Sequence, residues 1–274
     1  MTDRRAGERR VTIRDLLDMK QRGERIAALT AYDFLFARLV DECGVDIVLV
    51  GDSVGTVVAG HETTLPVTLD DMIYHGKAVR RAVRRALTVV DMPFLTFQIR
   101  PDITLRNAGR VMKETGVEAV KLEGGDDETA RHVRALVRAG IPVMGHVGLT
   151  PQSVHALGGY RVQGRDEQSA RRLVDDAVRL QEAGVFAVVL ELVPADVAVS
   201  ITRALRVPTI GIGAGAGTDG QVLVLPDALG LNDQFNPRFL KRFASLAEDS
   251  RRGINAYVEE VRAGTFPGPE HSFE

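Results

Sequence analysis

The sequence predicts a (β/α)8 TIM barrel with an extra N-terminal helix, and three observations support this fold class. Eight short apolar runs alternate along the chain with amphipathic segments. The runs are almost continuously apolar, which is typical of parallel strands that are covered on both faces. The length of 274 residues suits one closed barrel of about 250 residues. We therefore expect a single domain over residues 1–274, with short flexible tails at about 1–10 and 264–274.

The predicted strands are the β-branched runs of this pattern. In chain order they cover residues 26–32, 45–52, 87–94, 117–124, 141–148, 185–192, 207–213 and 221–227. Eight strands with helices between them favour a closed barrel over an open sheet. The connection between the last two strands is too short for a full helix.

Helices are predicted between most of the strands, and several end at a glycine, as helices commonly do. The clearest segments are residues 34–42, 69–85, 103–115, 127–139 and 168–183. Before the first strand, Thr12 and Asp15 are spaced as an N-cap and the third helical residue. We expect the helix that they begin to cover the bottom of the barrel. A last helix is expected from about residue 237 to 262.

The composition argues against several classes of function. A net charge of -2 gives no electrostatic basis for binding nucleic acid or an acidic membrane surface. No run reaches the roughly 18 apolar residues that cross a bilayer, and the charged N-terminus has no apolar signal segment. We therefore expect no nucleic-acid or membrane partner and a cytoplasmic location. The single cysteine, Cys43, is expected to pack in the core.

Charged residues interrupt the apolar runs at the carboxyl ends of several predicted strands. They are Asp52, Asp91, Lys121, Glu123, His146 and Glu191. In (β/α)8 barrels, catalytic residues gather at that rim. Each residue alone has an ordinary structural explanation, such as a turn cap or a hydrogen-bonded core histidine. Their shared position at the same end of successive strands predicts an active site.

Lys121 is the most informative of these residues, because a lysine is rarely buried without a partner or a task. Lys121 and Glu123 lie two apart on a strand and therefore point to the same side of the sheet. An internal ion pair between them is the structural alternative. Asp52, Asp91 and Glu123 offer oxygen donors and no thiolate, which favours Mg²⁺, or alternatively Mn²⁺, over Zn²⁺. The glycine-rich residues 210–217 do not open a helix, so we reject a dinucleotide fingerprint there.

Nine short blocks then follow one another over nearly the whole chain. They are TAYD (30–33), VGDSVG (50–55), GHETTLPVT (60–68), DMPF (91–94), KLEGG (121–125), GHVGLTPQ (145–152), LELVP (190–194), IGIGAG (210–215) and DGQVLV (219–224). Together they resemble the 3-methyl-2-oxobutanoate (ketopantoate) hydroxymethyltransferase family. One departure follows the last block, where this chain has Pro226 and Asp227 and the family commonly has a histidine and an aspartate.

The resemblance implies transfer of a one-carbon unit from 5,10-methylenetetrahydrofolate to 3-methyl-2-oxobutanoate through a metal-stabilised enolate. The product would be 2-dehydropantoate, for pantothenate and coenzyme A biosynthesis. By the same resemblance, Asp52, Asp91 and Glu123 hold Mg²⁺, and Glu191 is the catalytic base. The residues implied to bind the oxo acid are Asp52, Ser53, Asp91, Lys121 and His146. Members of the family form homo-decamers, so the resemblance also implies a homo-oligomer.

Two other functions remain open at this point. One is a class I aldolase acting on a small 2-oxo acid, in which Lys121 forms a Schiff base. The other is a non-catalytic barrel that binds a small acid. Residues 55–68, between the second strand and its helix, are a candidate lid that excludes water from the site.

Overall fold

The structure, a computed structural model, describes residues 9–273. It confirms the predicted barrel, because eight parallel strands close in the order β1 to β8. The strands are β1 (Ile26–Thr30), β2 (Ile47–Val50), β3 (Leu87–Asp91), β4 (Ala119–Glu123), β5 (Val143–Gly148), β6 (Ala187–Glu191), β7 (Thr209–Ile212) and β8 (Gly220–Leu223). The helices are α1 (Ile13–Arg22), α2 (Phe34–Glu42), α3 (Val54–Val57), α4 (Leu69–Ala82), α5 (Pro101–Thr115), α6 (Asp127–Arg138), α7 (Glu167–Ala183), α8 (Ala195–Ala204), α9 (Leu225–Ala228) and α10 (Leu246–Ala263).

The chain divides into two compact units at residue 224. The first unit contains all eight strands and α1 to α8, and the second contains α9, α10 and a 3₁₀ turn at Pro269–His271. The single-domain organisation stays a prediction. Most of the predicted N-terminal tail (residues 1–8) and the last residue of the C-terminal tail lie outside the described residues.

Alternate residues of the strands fill the interior of the barrel, because successive side chains of a strand point to opposite faces. Ile47 and Leu49 of β2 stand in register with Leu87 and Val89 of β3. All four belong to one buried apolar cluster that continues around the barrel. The interior is therefore a packed core toward the amino ends of the strands, and the buried charged residues lie at or near their carboxyl ends.

The predicted N-terminal helix is α1, and it begins with the predicted cap. The Thr12 hydroxyl accepts the N–H of Asp15, and the Asp15 carboxylate accepts the N–H of Thr12 at 2.8 Å. Leu16 is fully buried in the barrel cluster. Lys20 donates at 2.7 Å to Asp219, which directly precedes β8. The helix therefore covers the amino end of the barrel, as expected.

Two expectations about the second helix and the segment after α4 are wrong. Cys43 is exposed, so it does not pack in the core. The helix predicted to reach residue 85 ends at Ala82. Its continuation is prevented because the backbone N–H groups of Arg84 and Arg85 donate to the buried Asp41 carboxylate at 2.8 Å and 3.1 Å.

The last helix also begins later than predicted, at Leu246. The backbone N–H of Phe243 donates to the carbonyl of Ala228, and that of Leu246 donates to the carbonyl of Leu229. These bonds use donors that a longer helix would need. Within residues 9–273, the structure has no helix with the length and apolarity that a membrane span requires.

Candidate active site

The carboxyl ends of the strands bring the predicted charged residues together. Asp91, Glu123 and Glu191 are the last residues of β3, β4 and β6, and Asp52 follows β2 by two residues. Lys121 stands beside Asp91 in the β3–β4 register. His146 stands beside Glu123 in the β4–β5 register. All of them except Glu191 are at least 94% buried.

Lys121 lies at the centre of this group. Its Nζ atom is 3.2 Å from Asp91 Oδ1 and 3.9 Å from Glu123 Oε1. The same atom is 3.2 Å from His146 Nδ1. Burial alone would lower the pKa of Lys121, but the charges of Asp91, Glu123 and Asp52 raise it above its ordinary value. The amine is therefore held as a fixed cation.

The carboxylates around this cation are hard to ionise. Burial raises the pKa of Asp91 to about 7. It also raises the pKa of Asp52, against the attraction of Lys121. The pKa of Glu123 is raised well above its usual range by burial and by the nearby Asp52 charge. Several carboxylates therefore share a single ammonium group, and the site carries an excess of negative charge when they ionise.

His146 connects this cluster to Glu191. An ammonium group can only donate, so His146 Nδ1 accepts from Lys121 and the ring proton sits on Nε2. His146 Nε2 is 3.3 Å from Glu191 Oε2. Burial and the Lys121 charge lower the pKa of His146 well below its usual range, so the ring is neutral. Burial raises the pKa of Glu191 to about 7.

The backbone around Glu191 is tightly held. Gly148 has a φ of 97°, and a side chain there would meet the Glu191 carbonyl oxygen at 2.2 Å. That carbonyl accepts the N–H of Leu149 at 2.8 Å. The next residue, Leu192, has a φ of 45°, a strained conformation for a non-glycine residue that is often found at functional sites. The Glu191 side chain is 17% exposed, so it faces the site more than the solvent.

Ser53 lies beside a tyrosine for which the sequence suggested no role. Tyr32, 4% exposed, places its hydroxyl 2.8 Å from Ser53 Oγ. The Tyr32 carbonyl in turn lies 2.6 Å from His75 Nδ1. Tyr32 belongs to the TAYD block, which begins at Thr30, the last residue of β1. That position was the available signal.

Gln152 is a buried residue of this site that the sequence did not single out. It lies in the 3₁₀ turn Pro151–Ser153, directly after β5. Its side-chain Nε2 donates to Asp52 Oδ2 at 2.9 Å, and its backbone N–H donates to Glu123 Oε2 at 3.0 Å. Its place at the end of the GHVGLTPQ block was the only hint, because a neutral amide does not stand out in an apolar run.

The residues present fit a hard divalent cation in charge and in donor chemistry. Asp52, Asp91 and Glu123 are buried oxygen donors, and Asp91 Oδ1 has Lys121 Nζ at 3.2 Å as its charged neighbour. No three acidic, histidine or cysteine side chains within residues 9–273 are grouped closely enough to form a ready-made metal site. The carboxylates are instead spread around Lys121, which lies 3.2 Å from Asp91 and 3.9 Å from Glu123.

Comparison with known proteins adds the family to this geometry. A family model described as ketopantoate hydroxymethyltransferase matches residues 10–269. The 3-methyl-2-oxobutanoate hydroxymethyltransferase of Syntrophotalea carbinolica is 56% identical over 266 residues, which are 97% of this chain and 99% of that protein. The enzyme of the same name from Magnetococcus marinus is 56% identical over 267 residues, with 97% and 99% covered.

A solved structure of 2,3-dimethylmalate lyase, a PEP mutase/isocitrate lyase superfamily member, has a TM-score of 0.58 and 16% identity over 96% of this chain and 91% of its own. At that identity it supports the barrel fold alone. The two hydroxymethyltransferases match this chain at much higher sequence identity, 56% in each case. Because they run from one end of the barrel to the other at more than half identity, the chain belongs to the ketopantoate hydroxymethyltransferase family.

Proposed function

We propose that this protein transfers a hydroxymethyl unit from 5,10-methylenetetrahydrofolate to 3-methyl-2-oxobutanoate, giving 2-dehydropantoate for pantothenate and coenzyme A biosynthesis. Membership of the family supports the acceptor and the transferred unit. The observation that carries the chemistry is the place of Glu191 at the end of β6, 3.3 Å from His146, where burial raises its pKa to about 7. Assembly as a homo-oligomer, a decamer by family resemblance, and a cytoplasmic location stay predictions.

Asp52, Asp91 and Glu123 are the residues that would hold Mg²⁺, with Mn²⁺ as a substitute, because carboxylate oxygens are the donors both ions prefer. The bound ion would act as a Lewis acid on the oxygen that gains charge when the oxo acid loses its C3 proton. The excess of buried carboxylates over cations supports this assignment, since a divalent ion would compensate for their charge.

Lys121 would bind the carboxylate of the oxo acid. Its charge is fixed by surrounding carboxylates, and it acts in a buried site where preorganised electrostatics are strong. Ser53, whose hydroxyl is oriented by Tyr32 at 2.8 Å, would donate to the same substrate. His146, together with Asp52 and Asp91, would line the pocket around it.

Glu191 would remove the proton from C3 of the oxo acid. A base is most effective when its pKa lies near the working pH, and the value of about 7 meets that condition. His146 Nε2 lies 3.3 Å from Glu191 Oε2 without forming a hydrogen bond, so the neutral ring would line the site next to the base. Water would release the methylene carbon from the two folate nitrogens at the oxidation level of formaldehyde, leaving tetrahydrofolate. The carbanion would then add to that carbon, and the oxygen from water would become the hydroxyl of the product.

The Schiff-base alternative is disfavoured by the state of Lys121. A lysine that attacks a carbonyl must be neutral, and enzymes achieve this by lowering its pKa. Here the neighbouring carboxylates raise the pKa of Lys121. Borohydride with substrate would reduce an iminium onto the chain, so the absence of a labelled lysine is the expected result.

The proposed function is tested by hydrogen exchange at C3, which needs no folate. With Mg²⁺ and 3-methyl-2-oxobutanoate in heavy water, the wild-type protein should exchange the single C3 hydrogen for deuterium. The methyl doublet in the proton NMR spectrum would then collapse. Glu191→Gln keeps the size of the side chain but removes the basic oxygen, so exchange should fall by roughly 10²–10⁴.

Asp91→Asn is the matched carboxylate-to-amide control. It should also slow exchange, but through weaker cation binding, so that added Mg²⁺ partly restores it. Added Mg²⁺ should not restore Glu191→Gln. Exchange at the wild-type rate in Glu191→Gln would show that another group is the base, and exchange in excess EDTA would contradict the requirement for a divalent ion.

A further inference from the structure

Gln152 contacts two of the three carboxylates that would hold the cation, although it contributes no charge itself. It is 5% exposed and lies at the start of the connection after β5. The carboxylates lie on other strands, with Asp52 after β2 and Glu123 at the end of β4. One neutral residue therefore links two separate strand ends of the site.

The orientation of the Gln152 amide is determined by its partners. Nε2 donates to Asp52 Oδ2 and to the carbonyl oxygen of Met92, each at 2.9 Å. Both partners only accept, so a flipped amide would place its oxygen against two oxygens. On the other side, Oε1 accepts from Gln98 Nε2 at 2.9 Å. Both Nε2 hydrogens are therefore used, and the side chain has a single satisfied orientation.

These bonds occupy one oxygen of Asp52 and one oxygen of Glu123. Oδ2 of Asp52 is occupied by the Gln152 side chain, and Oε2 of Glu123 by the Gln152 backbone N–H at 3.0 Å. The other oxygen of Glu123, Oε1, faces the centre, 3.9 Å from Lys121 Nζ. Asp91 shows the same division, since its Oδ2 accepts the N–H of Asp52 at 3.0 Å and its Oδ1 lies 3.2 Å from Lys121 Nζ.

We propose that Gln152 is a positioning residue for the divalent cation: it holds one oxygen of Asp52 and one of Glu123 so that the other oxygen of each is free to bind the ion. This inference rests on the proposed cation site. Groups that orient metal ligands in this way typically change metal affinity by about 10–100-fold when they are removed. Gln98 would act indirectly, because it hydrogen-bonds to Gln152. Within residues 9–273, its hydrogen bonds do not include any of the three carboxylates.

The test is direct binding of Mn²⁺, followed by the electron paramagnetic resonance signal of the free ion in a titration without substrate. Gln152→Met keeps the length of the side chain and the backbone N–H that Glu123 accepts, but removes the Nε2 donor to Asp52. The dissociation constant should therefore rise by about tenfold or more. Saturating Mn²⁺ should recover much of the lost turnover. Gln98→Met, at an exposed position, should weaken binding by about threefold.

The matched control is Gln221→Met. Gln221 Nε2 also makes two hydrogen bonds, to the Gly215 carbonyl at 2.9 Å and to Thr218 Oγ1 at 2.8 Å, but neither partner is a carboxylate. Its Mn²⁺ affinity should equal that of the wild type. If folded Gln152→Met binds Mn²⁺ as tightly as the wild type does, the role of Gln152 is overturned while the cation site stands.

A wild-type protein that binds no Mn²⁺ would instead overturn the cation site itself, and the role of Gln152 with it. Should Gln152→Met fail to fold, as judged by circular dichroism, Gln98→Met decides the question. Unchanged Mn²⁺ affinity in that variant would then count against the proposal, and weakened affinity beside an unaffected Gln221→Met would support it.

Discussion

At the amino end of the barrel, the buried or partly buried carboxylates meet matching donors, whereas at the carboxyl end several carboxylates share one lysine. Asp46 accepts the N–H of Ala27 at 3.0 Å and an Arg85 guanidinium N–H at 3.1 Å. Asp219 accepts Lys20 Nζ at 2.7 Å and a backbone N–H. Asp41 accepts backbone N–H groups of three consecutive residues.

The carboxyl end has the opposite balance. Within residues 9–273, Lys121 is the one lysine or arginine paired with this group of carboxylates. Burial raises the pKa of Asp52, Asp91, Glu123 and Glu191. Burying a charge without a full set of partners is unfavourable, so this arrangement does not stabilise the fold. The comparison indicates that carboxylates with a full set of donors serve the fold, and that the excess of buried carboxylates over cations supports the proposed cation binding and proton transfer at the other end.

The largest expected effect comes from removing the one cation at the carboxyl end. Lys121→Met should lower the rate of hydroxymethyl transfer by about 10²–10³, the usual effect of losing a preorganised group opposite developing charge. The fold should survive, because the carboxylates around it can take up protons. Lys20→Met is the matched control at the amino end. It breaks the bond to Asp219 and should leave the rate near that of the wild type.

Rate measurements at saturating substrate, combined with circular dichroism, check this prediction. Near-normal turnover in folded Lys121→Met would show the lysine to be structural. The excess of buried carboxylates at the carboxyl end would then no longer be evidence for a catalytic site.

The next effect is on stability and concerns the amino end. Asp41→Ala leaves the N–H groups of Arg84, Arg85 and Ala86 without their acceptor, which should lower the free energy of unfolding by about 2–3 kcal/mol. Asp166→Ala removes only the cap of α7, an acceptor for the Ser169 N–H, and should cost about 1 kcal/mol. Urea denaturation gives both values. Equal losses would mean that burial of Asp41 adds nothing.

Much of the barrel and the charged part of the site could be predicted from the sequence. Parallel strands are continuous apolar runs, so Lys121 and Glu191 stood out as interruptions at strand ends. The distances between them could not be predicted, because they depend on strand register. The pairing of Asp91 with Lys121 is a property of the closed sheet that no local pattern encodes.

Residues that act through tertiary contacts were missed for a related reason. Gln152 reaches Asp52 across a hundred residues of sequence, and its own neighbourhood is an unremarkable turn. The end of α4 was misplaced because Asp41, more than forty residues away, takes the N–H groups that would continue the helix. In both cases the partner, and not the local propensity, determines the outcome.

The smallest expected effect is a pH dependence that belongs to the carboxyl end alone. A protonated carboxyl group cannot accept the C3 proton, and burial raises the pKa of Glu191 to about 7. The exchange rate at saturating Mg²⁺ should therefore be level above pH 8 and fall by about tenfold per pH unit below pH 6. An unperturbed glutamate, with a pKa near its ordinary value of about 4.3, would give a level rate from pH 6 to 8.

Titration of Asp91 or His146 could produce a similar fall in rate near pH 7, and varying the Mg²⁺ concentration distinguishes these cases. Asp91 also has a pKa raised to about 7, but its protonation acts through cation affinity, so raising the Mg²⁺ concentration should remove its contribution. His146 stays neutral in this range because burial and Lys121 lower its pKa. An inflection that persists at every Mg²⁺ concentration and disappears in Glu191→Gln would assign the titration to Glu191. A level profile between pH 5.5 and 8 in the wild type would mean that protonation of Glu191 does not limit the reaction. The excess of buried carboxylates at the carboxyl end would then have no effect on the reaction rate.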